Sequence, residues 1–132
     1  MSRPWDVLVV DDEAVVRGGV KLVLEPEGLT VAQAATVAEA LASEALNECR
    51  LLLCDLMLQG ESGLEIVSEA RRRRPALPIV LMTGYATDDN AALGAQSGAT
   101  DFLAKPFDDV ELLDQVRRVL GDAHADEKEG SS

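Results

Sequence analysis

Three short, unbroken apolar runs constrain this chain more than any other feature in it: Val7 to Val10, Leu51 to Cys54 and Ile79 to Met82. Each is flanked by polar residues, the pattern of strands buried on both faces. Two weaker runs complete the series, Leu29 to Ala34 after Gly28 and Thr100 to Ala104 after Gly98. Both glycines stand where a helix would end. Between the runs lie segments of helical period, with Val16, Val20 and Val23 on one stripe of the first and Leu64, Val67 and Ala70 on one stripe of the third. Residues 38–46, 89–96 and 110–120 supply the remaining helices, the last presenting Val110, Leu113, Val116 and Leu120 on one side. Thr36 with Glu39, and Ser62 with Glu65, have capping-box spacing.

Five strands alternating with five helices, joined by right-handed crossovers, predict a doubly wound α/β domain with a five-stranded parallel sheet. The 132 residues suffice for one such core and not for two. The predicted domain spans residues 1–121. From there to Ser132 the composition turns polar and acidic, which predicts a flexible tail over residues 122–132.

The formal net charge of −12 argues against binding a nucleic-acid backbone. The run Arg71 to Arg74 is the one apparent exception, but it closes a helix just before Pro75, where cations favour the helix dipole and solvent. No apolar run approaches membrane-spanning length, and the first residues lack the basic and apolar regions of a signal peptide, so a soluble cytoplasmic protein is expected. Cys49 and Cys54 form neither a disulfide framework nor a CxxC metal pair, and Cys54 reads as a small buried hydrophobe. His124 lies in the acidic tail and is assigned no ligand or transfer role; Trp5 is expected to pack at the domain edge.

Ligands of open α/β sheets bind outside the carboxyl ends of the strands. Here those ends carry Asp11, Asp12 and Glu13 after strand one, Asp55 after strand three, Thr83 after strand four and Lys105 with Pro106 after strand five. Carboxylates gathered in a partly dry cleft repel one another unless a hard cation such as Mg²⁺ joins them, so the cluster predicts a divalent metal. A carboxylate beside Mg²⁺ is also a nucleophile toward phosphorus, and Asp55 is the best-placed candidate. Thr83 offers a hydroxyl and Lys105 a positive charge for the remaining phosphoryl oxygens.

Taken together, Asp11-Asp12-Glu13, Asp55 followed by Gly63, Thr83-Gly84 and Lys105-Pro106-Phe107 resemble a response-regulator receiver domain, over roughly residues 5 to 120. The resemblance implies a flavodoxin-like sheet with strand order 2-1-3-4-5. It also implies a phosphorelay switch in which Asp55 accepts a phosphoryl group from a sensor histidine kinase, a phosphotransfer protein or a small phosphodonor. Asp12 is then the direct metal ligand, Asp11 acts mainly through water, and the Met57 carbonyl completes the protein's share. Thr83 and Phe102 match the family's switch pair, with Phe102 lacking the hydroxyl of a tyrosine. The Lys105–Pro106 bond is expected to be cis. A homodimer partner or effector would dock on the fourth helix, fifth strand and fifth helix, around Phe102.

One position departs from the family's usual pattern, and two more bear on its kinetics. Gln59 stands where many receivers have proline, which predicts a less rigid loop after the acceptor, and Met57 with Tyr85 match positions that in the family control water access, which predicts slow loss of phosphate. The main rival, an aspartate-nucleophile phosphatase of the haloacid-dehalogenase type, wants a second Asp where this chain has Met57, and 132 residues leave little for a cap. A nucleotide-binding module is weaker, since no glycine-rich phosphate loop follows a strand. A conventional turnover enzyme is therefore not expected; an interaction domain without Asp55 chemistry is the remaining alternative.

Overall fold

The computed structural model describes residues 5–84, 96 and 98–131, with the backbone alone for residues 122–131. In chain order the elements are β1 (Val7–Val10), α1 (Ala14–Leu24), a 3₁₀ turn (Glu25–Glu27), β2 (Val31–Ala34), α2 (Val37–Ala42), α3 (Glu44–Glu48), β3 (Leu51–Asp55), β4 (Met57–Leu58), β5 (Glu61–Ser62), α4 (Leu64–Arg73), β6 (Ile79–Thr83), β7 (Asp101–Ala104) and α5 (Asp109–Ser131). The main sheet is ordered β2-β1-β3-β6-β7 and every pairing in it is parallel. Counting only its five strands, this is the expected order 2-1-3-4-5.

Alternate residues of each strand serve two cores, as the pleat requires. Leu8, Val10, Leu52, Cys54, Ile79 and Leu81 pack with α2, α3 and α4. Val7, Val9, Leu51, Leu53, Val80 and Met82 pack with α1 and α5. Both layers are dry, which is why the three central runs carry no polar residue until their carboxyl ends.

Local signals succeed and fail for physical reasons. Thr36 caps α2 by accepting from the Glu39 amide at 3.0 Å, and the Glu39 carboxylate accepts from the Ala35 amide at 2.8 Å. Gly28 takes a left-handed φ of 87° to end the 3₁₀ turn. The helix expected over 38–46 is instead two, because Ser43 is extended and caps α3 through the Ala45 amide. The Ser62–Glu65 box does not form as predicted: Gly63 is the N-cap, and Ser62 accepts from the Leu64 amide at 3.2 Å.

The buried stripe of α5 is Leu112, Val116 and Leu120, with Val110 67% exposed. The predicted stripe therefore erred at its start: two residues turn a helix through about 200°, so Val110 points away from the face on which Leu112 of the same turn is buried. The backbone of residues 122–131 is helical, where the sequence predicts a flexible tail. Ala, Glu and Lys favour helix locally without apolar surface to bury. The predicted helix over 89–96 lies outside the described residues, apart from Gln96.

Candidate metal and phosphoryl site

Every predicted site residue except Phe102 stands at the carboxyl edge of the sheet. Asp11 follows β1, Asp55 ends β3, Thr83 ends β6 and Lys105 follows β7. Asp11, Asp55 and Thr83 are buried, and Asp12 is partly exposed. One ligand oxygen from each of Asp11, Asp12 and Asp55 lies within 4.8 Å of the others.

Lys105 closes the cluster. Its Nζ donates to Asp11 Oδ2 at 2.6 Å and to Asp55 Oδ2 at 3.0 Å. Its amide donates to the Thr83 carbonyl at 2.8 Å, continuing the β6–β7 ladder past the strand end. The Lys105–Pro106 peptide is cis. Asp55 Oδ1 accepts from the Met57 amide at 3.2 Å, and Asp11 Oδ1 from the Glu13 amide at 2.9 Å.

Burial pushes the Asp55 carboxyl above its usual range; hydrogen bonds from Lys105 and the Met57 amide pull it back, while the Asp11 charge adds to the rise. Burial works against the Lys105 charge, yet the hydrogen bonds and charges of Asp11 and Asp55 outweigh it and raise the ammonium's pKa. Burial likewise raises the Cys54 thiol, with Asp55 and Asp11 adding to it. Cys54 therefore stays a neutral thiol in the core beside the site.

The donor set suits a small hard cation. All three side chains offer carboxylate oxygens, and ligands around one octahedral Mg²⁺ stand roughly 3 to 4 Å apart, so modest side-chain adjustment brings these oxygens onto one ion. Met57 is 56% exposed at the rim, next to Asp55. Tyr85, its expected partner in shielding, lies outside the described residues.

Gln59 has φ 46° and Gly60 φ 85°, forming a tight turn between β4 and β5. A proline ring cannot take that φ. The absence of proline there thus accompanies a hydrogen-bonded hairpin, which the sequence did not predict.

Thr83 and Phe102 lie on adjacent strands. Leu81 pairs with Phe102 and Thr83 with Ala104, so the two switch candidates face the same side of the sheet two register positions apart. Phe102 is partly buried and packs against the α2–α4 core.

Residues 7–117 match the family described as the response regulator receiver domain. The chain belongs to that family. As a receiver, it is 35% identical over 117 residues to the nitrogen assimilation regulatory protein NtrX of Azorhizobium caulinodans, covering 87% of this chain and 26% of that protein. It is also 35% identical over 121 residues to the transcriptional regulatory protein FixJ of the same organism, covering 92% and 57%. The receiver thus spans about a quarter of one relative and little more than half of the other. A CheY-like receiver domain from Methanospirillum hungatei superposes with a TM-score of 0.81 at 31% identity, covering 97% of this chain and 98% of that one. The protein is accordingly a receiver of two-component response regulators, a signalling switch. Among the described residues, no helix is long and apolar enough to cross a membrane.

The other sequence features fall into place as structural. Arg71 donates to the carbonyls of Gly98, Arg74 and Pro75, Arg73 to Leu41, and Arg74 to Leu46 and Cys49. Arg71, Arg73 and Arg74 thus clamp helix and loop ends, while Arg72 bonds Glu69 on the surface. Trp5 packs partly buried at the core's edge. What the sequence did not reveal is Arg17, whose Nη1 donates to the Asp11 carbonyl at 2.8 Å. An arginine on an early helical turn carries no signal of its own, and only the fold brings it to the strand end.

Proposed function

We propose that Asp55 is the phospho-acceptor of this receiver, charged in a Mg²⁺-dependent reaction by a phosphohistidine of a sensor histidine kinase or phosphotransfer protein, or by a small phosphodonor. The observation that supports this most is the meeting of Asp11, Asp12 and Asp55 within 4.8 Å beside Lys105. Asp11, Asp12, Asp55 and the Met57 carbonyl would hold the cation. When bound, Mg²⁺ supplies positive charge that offsets the charge gathering on the phosphoryl oxygens.

In this reading a carboxylate oxygen of Asp55 forms the new P–O bond while the bond from phosphorus to the donor breaks. Lys105 moves from its carboxylate partners to a phosphoryl oxygen, and Thr83 supplies its hydroxyl to another. Drawing Thr83 toward the new group frees space for Phe102 to turn inward. The response is a population shift, limited by the difference in these contacts between the two states.

The proposed domain is residues 1–121, with 122–132 as an appended tail, working in the cytoplasm. Its output face surrounds Phe102 and takes an effector or a second copy, with no direct nucleic-acid contact. Self-charging and loss of phosphate are partial reactions, with no turnover of a separate substrate. Met57 and Tyr85 at the rim would make that loss slow.

Intact-mass measurement after incubation with acetyl phosphate and Mg²⁺ tests the assignment. One added phosphoryl group is expected, absent in Asp55→Asn and absent with chelator. A folded wild-type sample that gains no mass from acetyl phosphate or from a phosphorylated histidine kinase would refute it.

A further inference from the structure

Asp11 is wholly buried, and its backbone is held at both ends. Its amide donates to the Ala34 carbonyl at 3.1 Å. Its carbonyl has outrun the sheet: β1 lies between β2 and β3, and both ladders stop at Val10. A buried carbonyl needs a partner, and Arg17 supplies one from α1, with Nη1 2.8 Å from the Asp11 oxygen. The guanidinium is steadied on its other edge, where Nε donates to Gln33 Oε1 of β2 at 3.2 Å.

The consequence reaches beyond folding. The carbonyl that Arg17 holds belongs to the peptide joining Asp11 to Asp12. A planar peptide turns as one unit, so fixing that oxygen fixes the direction in which Asp12 leaves the strand. We propose that Arg17, braced by Gln33, is a positioning residue for the metal site, orienting the Asp11–Asp12 peptide so that both carboxylates face one cation. The proposal rests on the reading of Asp11, Asp12 and Asp55 as the ligand set. Lysine is a poor substitute, because an ammonium lacks the planar fork that spans the carbonyl and Gln33 together.

Electrostatics makes the test sharp. Removing a positive charge held on the backbone of Asp11, one of the three acidic ligand candidates, should, by itself, tighten Mg²⁺ binding. Loss of positioning acts in the opposite direction, and changes to groups that orient metal ligands weaken affinity by about 10- to 100-fold. A merely structural Arg17 would lower stability equally with and without Mg²⁺ and leave the affinity of the folded protein unchanged or tighter.

The experiment is Mg²⁺ titration by calorimetry on the full chain, with folding checked by circular dichroism and thermal midpoints recorded in Mg²⁺ and in chelator. Arg17→Met is expected to bind Mg²⁺ at least ~10-fold more weakly and to lose most of the midpoint rise that Mg²⁺ gives the wild type. Gln33→Ala is expected to weaken binding by less, and Arg17→Lys to recover only part. Arg72→Ala, an exposed charge on α4, serves as the control and keeps wild-type affinity. If the wild type itself binds no Mg²⁺, the ligand assignment fails. If the wild type binds and folded Arg17→Met binds as tightly, the positioning role alone is overturned; should Arg17→Met not fold, unchanged affinity in both Gln33→Ala and Arg17→Lys overturns it equally.

Discussion

Gly63 presses so closely on Asp55 that a Cβ at position 63 would overlap the Asp55 carbonyl oxygen and come within 3.1 Å of Cys54 Sγ. The Gly63 amide meanwhile donates to the Leu56 carbonyl at 2.8 Å, folding the β4–β5 hairpin back over the end of β3. The glycine is therefore required by close approach, not by an unusual φ. Gly63→Ala must push the hairpin away from backbone that cannot yield. Overpacking of this kind costs about 1–3 kcal/mol, and urea denaturation should show a loss in that range. A midpoint equal to wild type would mean that the hairpin shifts freely.

Lys105 occupies the oxygens that a divalent cation would want. Its Nζ pairs with Asp11 and Asp55, both largely buried, so Lys105→Met leaves the carboxylates more repulsive in the absence of metal. Mg²⁺ should then bind as well as in wild type or more tightly. Charging from acetyl phosphate should nevertheless slow on the order of 100-fold, the usual scale for removing one donor to a developing oxyanion. Calorimetry and time-resolved intact mass separate the two effects. Parallel loss of Mg²⁺ binding and charging would make Lys105 a structural tether instead.

The contrast between Lys105 and Arg17 shows what was legible in the sequence. Asp11, Asp55, Thr83 and Lys105 could be found because strands buried on both faces read as apolar runs, and the first polar residue after each run marks the same sheet edge. Arg17 and Gln33 could not, since their meeting depends on β2 lying beside β1, and neither residue type is unusual where it stands. The hairpin after Asp55 escaped notice because two-residue strands leave no periodicity to count. The break at Ser43 was hidden because residues 38–46 keep a helical pattern across it, and only the Ser43 cap to the Ala45 amide betrays two helices.

Gln115 is the one buried polar side chain among the described residues that lies outside the candidate site, the others being Asp11, Asp55 and Thr83. Its Nε2 donates to Asp101 Oδ2 at 2.9 Å, while Asp101 Oδ1 accepts from the Phe102 amide at 2.8 Å. One carboxylate thus ties α5 to the strand carrying the switch candidate. Gln115→Leu keeps much of the volume but drops the tie. A hydrogen bond to a charged group contributes about 1.5–3 kcal/mol when dry, and the partly exposed Asp101 with Arg118 nearby should bring the loss to about 1 kcal/mol. Thermal denaturation measures it, and a loss below experimental error would mean that water or Arg118 takes over the bond.

The four arginines closing α4 should separate cleanly by what each one holds. Arg71 reaches the carbonyls of Gly98, Arg74 and Pro75, anchoring the loop that leads into β7. Arg71→Met strips several carbonyls, those of Gly98 and Arg74 part-buried and that of Pro75 exposed, of a charged donor and should cost about 1–3 kcal/mol. Arg72 is exposed and its described contacts are with Glu69, so Arg72→Ala should leave the urea midpoint almost unmoved. Hydrogen bonds from Arg72 and then Arg73 pull the Glu69 carboxyl down to about 2. Because the folded value lies below the unfolded one, the support from this group is present above the ordinary carboxylate range and fades as pH falls toward 2. A carbon-detected NMR titration should therefore find Glu69 ionised after most other carboxylates have protonated, with the separation shrinking at high salt. An ordinary titration for Glu69, or a midpoint loss for Arg72→Ala as large as that for Arg71→Met, would show that the run acts as one undivided charged patch.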